Sequence, residues 1–134
     1  RRNVRLVTSG EGAHPSYTSM ISADVATATA SRSAAATVFG LNEVRIVEID
    51  GVVLDVKPEG TLLMFGNLDK PGVLAAVSGV LARNAINIAN VSLGRREGEG
   101  KATTVIRVDE QVSDSVIGEL KSLDVIEDIR LLRF

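Results

Sequence analysis

The chain has 134 residues, a formal net charge of −2 and a hydrophobic fraction of 45%, which is typical of a globular protein with one domain or two small ones. Aromatic residues make up only 3%, so the stacking platforms of nucleic-acid readers are not expected, and the charge disfavours electrostatic binding to DNA or membranes. The absence of cysteine excludes disulfides and disfavours zinc sites. No apolar run reaches the roughly 18 residues that a membrane-spanning helix needs.

The first 59 residues are predicted to form a small strand-rich unit. The run at 17–30 favours a strand, although its Ala and Ser residues also permit a helix. Asp50-Gly51 predicts a tight hairpin, since both central residues of such a turn take positive φ. Residues 9–16 are predicted as a loop, and residues 57–60 as a linker. Strands are predicted over residues 4–8, 17–30, 33–42, 44–49 and 52–57.

The remaining residues follow a different pattern, β-α-β-β-α-β. A first helix is predicted from Val73 to Asn84 by the spacing of its apolar residues, and a second after the capping residues Ser113 and Asp114. Strands are predicted over residues 61–66, 86–95, 101–108 and 125–134. This order predicts an α+β, ferredoxin-like fold, with four antiparallel strands, two helices on one face and the other face open.

The strand INIANVSL, residues 86–93, carries apolar side chains at both parities. An antiparallel strand with one wet face should alternate cleanly. A β-bulge that shifts the phase would explain the pattern, and so would a partner domain or subunit covering the second face.

No active site is predicted. GEGAHPS at 10–16 lacks the third glycine of a dinucleotide motif, and GEGK at 98–101 lacks the Walker spacing. The single histidine, His14, lies beside a proline in a predicted loop and is interpreted as a surface residue. We therefore expect no catalytic residues and no metal ligands in this chain.

The stretch NLDKPGVL, residues 67–74, is a candidate ligand-binding loop. Pro71 suits the first turn of a helix, Gly72 permits close backbone approach, and Asp69 is placed to cap the helix. A helix N-terminus favours a carboxylate, while Asn67 and Asp69 could accept hydrogen bonds from an ammonium group. The alternative is that Asp69 only caps the helix and Asn67 only ends the strand.

The segment LLMFGNLDKPGVLAAVSGVLARNAINIANVSLGR, within its β-α-β-β-α-β order, resembles an ACT domain, a regulatory amino-acid-binding module. Upstream, TVFGLNEVRIVEIDG and YTSMIS are similar to the intervening, or allosteric substrate-binding, domain of long-form D-3-phosphoglycerate dehydrogenases. The resemblance implies part of an intervening domain at 1–59 and an ACT domain at 60–134. The chain starts without Met in a strand-like run, which we interpret as a piece of a longer protein.

The resemblance implies L-serine as effector, bound between ACT domains of two subunits that associate through their sheets for feedback control of serine biosynthesis. The positions that match the serine-contacting pattern are Asn67, Asp69 and Asn87, with Asn87 contributed across the dimer interface. Asn67 departs from the bulkier His or Tyr found in some members. The NAD-binding and catalytic domains of the family are not found in this chain, so NAD would belong to the parent enzyme, in the cytoplasm.

The resemblance also implies an anion-binding site at Arg45, Lys57 and Arg107, although three basic residues on strands usually form only a solvated face. Two other functions remain open. The chain could be a constitutive oligomerisation module, or the regulatory part of an L-serine dehydratase, in which serine would be the substrate.

Overall fold

The computed structural model describes the backbone of residues 3–9, 19–26 and 29–134, and the side chains of residues 19–26 and 29–134. The predicted loop with His14 and its glycine-rich stretch therefore lie outside the described residues, apart from the backbone of Ser9. The chain separates into two compact units, Arg1–Pro58 and Glu59–Phe134.

The N-terminal unit contains a five-stranded antiparallel sheet in which each strand pairs with the next along the chain. The run that also permitted a helix forms a strand, as predicted, although a shorter one. The strands are β1 (Asn3–Ser9), β2 (Met20–Ala26), β3 (Ser31–Phe39), β4 (Glu43–Ile49) and β5 (Val52–Val56).

The hairpin between β4 and β5 turns at Asp50 and Gly51, whose φ angles are 49° and 78°. The prediction of this hairpin is thereby confirmed. Asp50 also ties the turn to β3, because its Oδ1 accepts a 2.8 Å hydrogen bond from the Ser33 amide and its Oδ2 lies 2.8 Å from Arg32 Nε.

The C-terminal unit has the predicted ferredoxin-like fold, with an antiparallel four-stranded sheet in the order β7-β8-β6-β9. The order places β6 and β8 at the centre of the sheet and leaves β7 and β9 at its edges. The elements are β6 (Thr61–Leu68), α1 (Val73–Arg83), β7 (Ile88–Arg96), β8 (Lys101–Val108), α2 (Asp114–Lys121) and β9 (Ile126–Arg133). Within the described residues, no helix has the length and apolar character needed to cross a membrane.

Both helices pack on one face of this sheet around a continuous apolar core. Leu63 and Phe65 of β6 face Val77 and Leu81 of α1 and Leu120 of α2 in this cluster, each at most 1% exposed. The opposite face is less open than predicted, since Leu62, Met64 and Val105 alternate with the core residues and are also buried. This burial agrees with the sequences of β6 and β8, which carry apolar residues at both parities.

The two-sided pattern of β7 is explained by a bulge, one of the two alternatives that the sequence left open. Ile88 pairs with Val108 and Val91 pairs with Ile106, and the register shifts between Ile88 and Asn90. Because Ile106 and Val108 belong to the core under the helices, Ile88 and Val91 lie on that same face despite their different parity.

Candidate functional site

Asn67 lies inside β6 rather than in the loop after it, because its backbone pairs with both neighbouring strands. The residue is only 2% exposed. Its Nδ2 donates to the Leu68 carbonyl at 2.8 Å, and its Oδ1 accepts from the buried Thr104 hydroxyl at 2.8 Å. A primary amide has two donor hydrogens and two acceptor lone pairs, so half of its hydrogen-bonding capacity is left after these contacts.

Asp69 follows β6 but does not cap α1, contrary to the prediction. The N-cap is Gly72, which has a φ of 91°, so no side chain caps the helix. Pro71 precedes the helix instead of starting it. The left-handed backbone at Gly72 turns the chain between Asp69 and the first helical turn, which leaves the carboxylate available for another partner. That partner is Arg95 of β7, whose Nε lies 3.2 Å from Asp69 Oδ2.

The turn between β7 and β8 also holds the Asp69 segment in place. The Asp69 amide donates to the carbonyl of Gly100 at 2.9 Å, and the next amide, that of Lys70, donates to the Leu68 carbonyl at 3.1 Å. These two bonds fix the backbone that carries the carboxylate. The position of Asp69 is therefore set by the sheet and its turn.

A concave surface of about 410 Å³ lies where the 69–72 loop, the start of α1 and the end of β7 meet. It contains charges of both signs, from Asp69, Lys70 and Arg95. The first turn of α1 has no acidic residue, so the positive end of the helix dipole is not compensated there. The lining residues are Asn67, Leu68, Asp69, Lys70, Pro71, Gly72, Val73, Leu74, Ala75, Leu93 and Arg95.

Asn87 lies at the opposite end of the sheet from this cavity. It precedes Ile88, which pairs with Val108, and Val108 pairs with Thr61 at the start of β6. Asn67 is close to the other end of β6, about 20 Å away at roughly 3.3 Å per residue. Asn87 and Asn67 therefore cannot contact one small ligand within a single chain.

Local contacts also involve Asn87. Its Nδ2 donates to Asp109 Oδ2 at 2.6 Å, and its backbone amide donates to Glu110 Oε2 at 2.6 Å. The residue is exposed, so these bonds can exchange with solvent or with a ligand.

The residues of the predicted anion site are divided between the two units. Arg45 lies on β4, 3.6 Å from the Asp55 carboxylate, and Lys57 directly follows β5. Arg107 lies on β8 and forms an ion pair with Glu59. An anion would have to compete with the carboxylates at Arg45 and Arg107, and the anion site stays a prediction.

Two residues of the cavity region were missed by the sequence analysis. Arg95 is 28 positions from Asn67, and only the register, in which Ala102 pairs with both, places them on one face at one end of the sheet. Thr104, which donates to Asn67, had no distinguishing signal, because it is one of two adjacent threonines in an otherwise largely apolar strand. Knowledge of the β7–β8–β6 register would have been needed to find either one.

The sequence profile of the ACT domain family matches residues 61–125. The chain is 32% identical over 91 residues to a D-3-phosphoglycerate dehydrogenase of Methanocaldococcus jannaschii and 35% identical over 88 residues to that of Bacillus subtilis. These matches span 68% and 66% of this chain but only 17% of each relative.

A third relative is a probable L-serine dehydratase beta chain of Bacillus subtilis, 29% identical over 84 residues, which cover 63% of this chain and 38% of that protein. The ferredoxin-like fold of the C-terminal unit and the match to the ACT family profile both identify this unit as an ACT domain. Residues 61–125 of this chain therefore form an ACT domain, and the chain is similar in sequence to part of the D-3-phosphoglycerate dehydrogenases and to part of the dehydratase beta chain.

Proposed function

We propose that this chain is a regulatory module that senses L-serine at an interface between two ACT domains and thereby exerts feedback control on a D-3-phosphoglycerate dehydrogenase. The observation that carries the proposal is the cavity beside Asp69, which presents a carboxylate and basic groups within one small volume. A free amino acid carries the complementary pair of charges, an ammonium and a carboxylate, on a single carbon atom.

Asp69 is the group proposed to bind the ammonium, since its carboxylate lines the cavity and its side chain is 31% exposed. The open first turn of α1 favours the carboxylate of the same ligand. Asn67 forms part of the cavity wall, where its remaining amide hydrogen can donate to the ligand. In this proposal, the Thr104 hydroxyl orients the Asn67 amide by donating a hydrogen bond to its Oδ1.

Asn87 requires a second subunit. β7 is an edge strand of the four-stranded sheet, and Val91 and Leu93 on its helix side are 41% and 40% exposed. If two copies pair β7 antiparallel about a twofold axis through its middle, Asn87 of the partner subunit lies opposite the end of β7, about two residues beyond Arg95. Each of the two cavities then gains a third polar residue, which is the arrangement that the family resemblance implies.

In the parent enzyme, serine bound at both cavities would hold the two ACT domains together and restrain the catalytic domains. The linkage is reciprocal, so any contact that favours the paired state raises the serine affinity by the same factor. Dehydrogenase chemistry and NAD binding are assigned in this proposal to domains other than the two present in the chain.

The test is calorimetric titration of the chain with L-serine, D-serine and glycine, combined with thermal melting. L-Serine is expected to release or absorb heat on binding and to raise the melting temperature. At a concentration one hundred times Kd it should increase the free energy of unfolding by about 2.7 kcal/mol. Asp69→Ala and Asn87→Ala should abolish this response without unfolding the chain. Asp124→Ala, in the exposed turn after α2, is the matched control and should respond like the wild type.

A constitutive oligomerisation module would give a different result. Light scattering would show a dimer or larger assembly, and millimolar L-serine would produce neither heat nor stabilisation in the wild type. That outcome would overturn the sensor proposal and leave the sheet edge as the functional surface.

The similarity to an L-serine dehydratase beta chain supports a second candidate, because the match covers a larger share of that protein than of the dehydrogenases. In that case the same cavity would bind serine as the substrate of the parent enzyme. An intact gene that encodes an NAD-binding domain upstream would favour the dehydrogenase, and its absence would favour the dehydratase.

A further inference from the structure

Arg95 lies on the edge strand β7, on the face that carries the helices. Its cross-strand partner is Ala102, which in turn pairs with Asn67, so the three residues form a row across β7, β8 and β6. The Arg95 side chain reaches from this row to the loop after β6 and lines the cavity. Its position depends on rigid strands rather than on the loop itself.

The ion pair between Arg95 and Asp69 places two opposite charges 3.2 Å apart at the cavity. Their side chains are 73% and 31% exposed, and exposed ion pairs of this kind contribute little to stability. The pair can therefore be separated at low cost. An amino acid entering the cavity brings an ammonium that can replace Arg95 at Asp69 and a carboxylate that can replace Asp69 at Arg95.

We infer that Arg95 is the carboxylate-binding residue of the cavity, and that its ion pair with Asp69 is the ligand-free arrangement that the amino acid opens by inserting between the two side chains. This inference rests on the proposed function. Arginine is suited to this role because its planar guanidinium presents parallel N–H groups to both oxygens of a carboxylate, whereas the nearby Lys70 offers only a point charge.

The inference predicts a specific dependence on the ligand carboxylate. L-Serinamide, at a pH where its amine is protonated, keeps the ammonium and the side chain of serine. Its neutral amide cannot form the bidentate ion pair that a carboxylate forms with the Arg95 guanidinium. We expect the wild-type chain to bind L-serine at least about tenfold more tightly than L-serinamide, as a charge-assisted bidentate contact requires. The measurement is calorimetric titration of the full 134-residue chain with both compounds.

Arg95→Gln should weaken L-serine binding by about tenfold or more and remove most of the preference over L-serinamide, while Arg95→Lys should restore part of both. Arg96→Gln is the matched control, since it removes the neighbouring charge on the other face of β7 and should change neither affinity. Thermal melting of each variant separates a loss of binding from a loss of folding, and Arg95→Lys keeps the inference testable if the Gln variant does not fold.

The outcomes distinguish the two proposals. If the wild type discriminates between the two ligands but the Arg95 variants bind L-serine as the wild type does, the role of Arg95 is refuted and the serine sensor stands. If the wild type binds both ligands equally, the ligand carboxylate does not contribute to the affinity and the inference is also refuted. If the wild type does not bind L-serine at all, both proposals fail.

Discussion

At the scale of single residues, the contact between Asn67 and Thr104 is central to the candidate site. Asn67 is a polar side chain buried on the core face of β6, and such a group is costly unless its hydrogen bonds are made. Thr104, which is fully buried, supplies the donor to Asn67 Oδ1, and the Leu68 carbonyl accepts from Nδ2. The amide is thus held in one orientation beside the cavity before any ligand arrives.

This contact leads to a stability prediction for Thr104→Val. Valine has nearly the shape of threonine but no hydroxyl, so Asn67 Oδ1 loses its buried donor, and we expect the free energy of unfolding to fall by about 1–3 kcal/mol. Thr103→Val is the matched control, because residue 103 lies on the other face of β8 and does not face Asn67. Urea unfolding followed by circular dichroism measures both, and equal losses in the two variants would contradict the prediction.

At the scale of elements, the edge strand β7 connects the cavity to the proposed dimer. The bulge at Ile88–Asn90 brings Val91 and Leu93 to the helix side of the sheet, where each remains about two-fifths exposed. Leu74 of α1 is 42% exposed and shares the cavity lining with Leu93. Partly exposed apolar side chains therefore lie on the helix side of this edge strand, and two of them, Leu74 and Leu93, also line the cavity.

Val91→Lys is expected to weaken self-association. Two lysines would approach each other near the twofold axis of a β7–β7 pair, and a charge on an edge strand is a common way to prevent such pairing. A loss of about 1.4 kcal/mol corresponds to a tenfold weaker dimer. The measurement is sedimentation velocity over a range of concentrations, with and without L-serine.

Val53→Lys is the control for that experiment. Val53 is 69% exposed and lies on β5, the edge strand of the other sheet, so the substitution adds the same charge to a comparable position. It should leave self-association unchanged. If Val53→Lys disrupts the assembly and Val91→Lys does not, the interface lies on the N-terminal unit and the proposed position of Asn87 of the partner subunit is wrong.

At the scale of the whole molecule, each unit has its own sheet, and the cavity is built entirely from the C-terminal one. The core cluster under the two helices consists only of residues between Leu63 and Ile129. None of its members comes from the strands of the N-terminal unit. The assignment of that first unit to part of an intervening domain remains a prediction from the resemblance.

Residues 59–134 produced alone are expected to fold cooperatively and to retain L-serine binding. Such a unit should have a free energy of unfolding of roughly 4–11 kcal/mol, at about 0.05–0.15 kcal/mol per residue. Urea denaturation monitored by circular dichroism tests the folding of this fragment, and calorimetric titration with L-serine tests its binding. A non-cooperative transition, or loss of binding in a folded unit, would show that the N-terminal residues complete the core or the site.

The candidate site divides into residues that local pattern could reveal and residues that it could not. Asp69, Pro71 and Gly72 stand out because they are turn and capping residues placed between a buried run and a helical pattern. The capping role assigned to Asp69 and the first-turn position assigned to Pro71 were nevertheless wrong, since Gly72 occupies the N-cap and the helix starts at Val73. A capping assignment depends on one backbone angle, and sequence alone does not determine which of several neighbouring residues adopts it.

The order of elements in the C-terminal unit and the hairpin at Asp50-Gly51 could be predicted from the sequence, because they depend on periodicity and turn chemistry within short stretches. The ACT resemblance was likewise available from the sequence, through its motifs. The folded structure was needed to choose the bulge in β7 over a covering partner, to bring Arg95 to Asp69, and to place Asn87 at the far end of the sheet from Asn67. These facts depend on strand register, and register is set by packing between segments far apart in the chain.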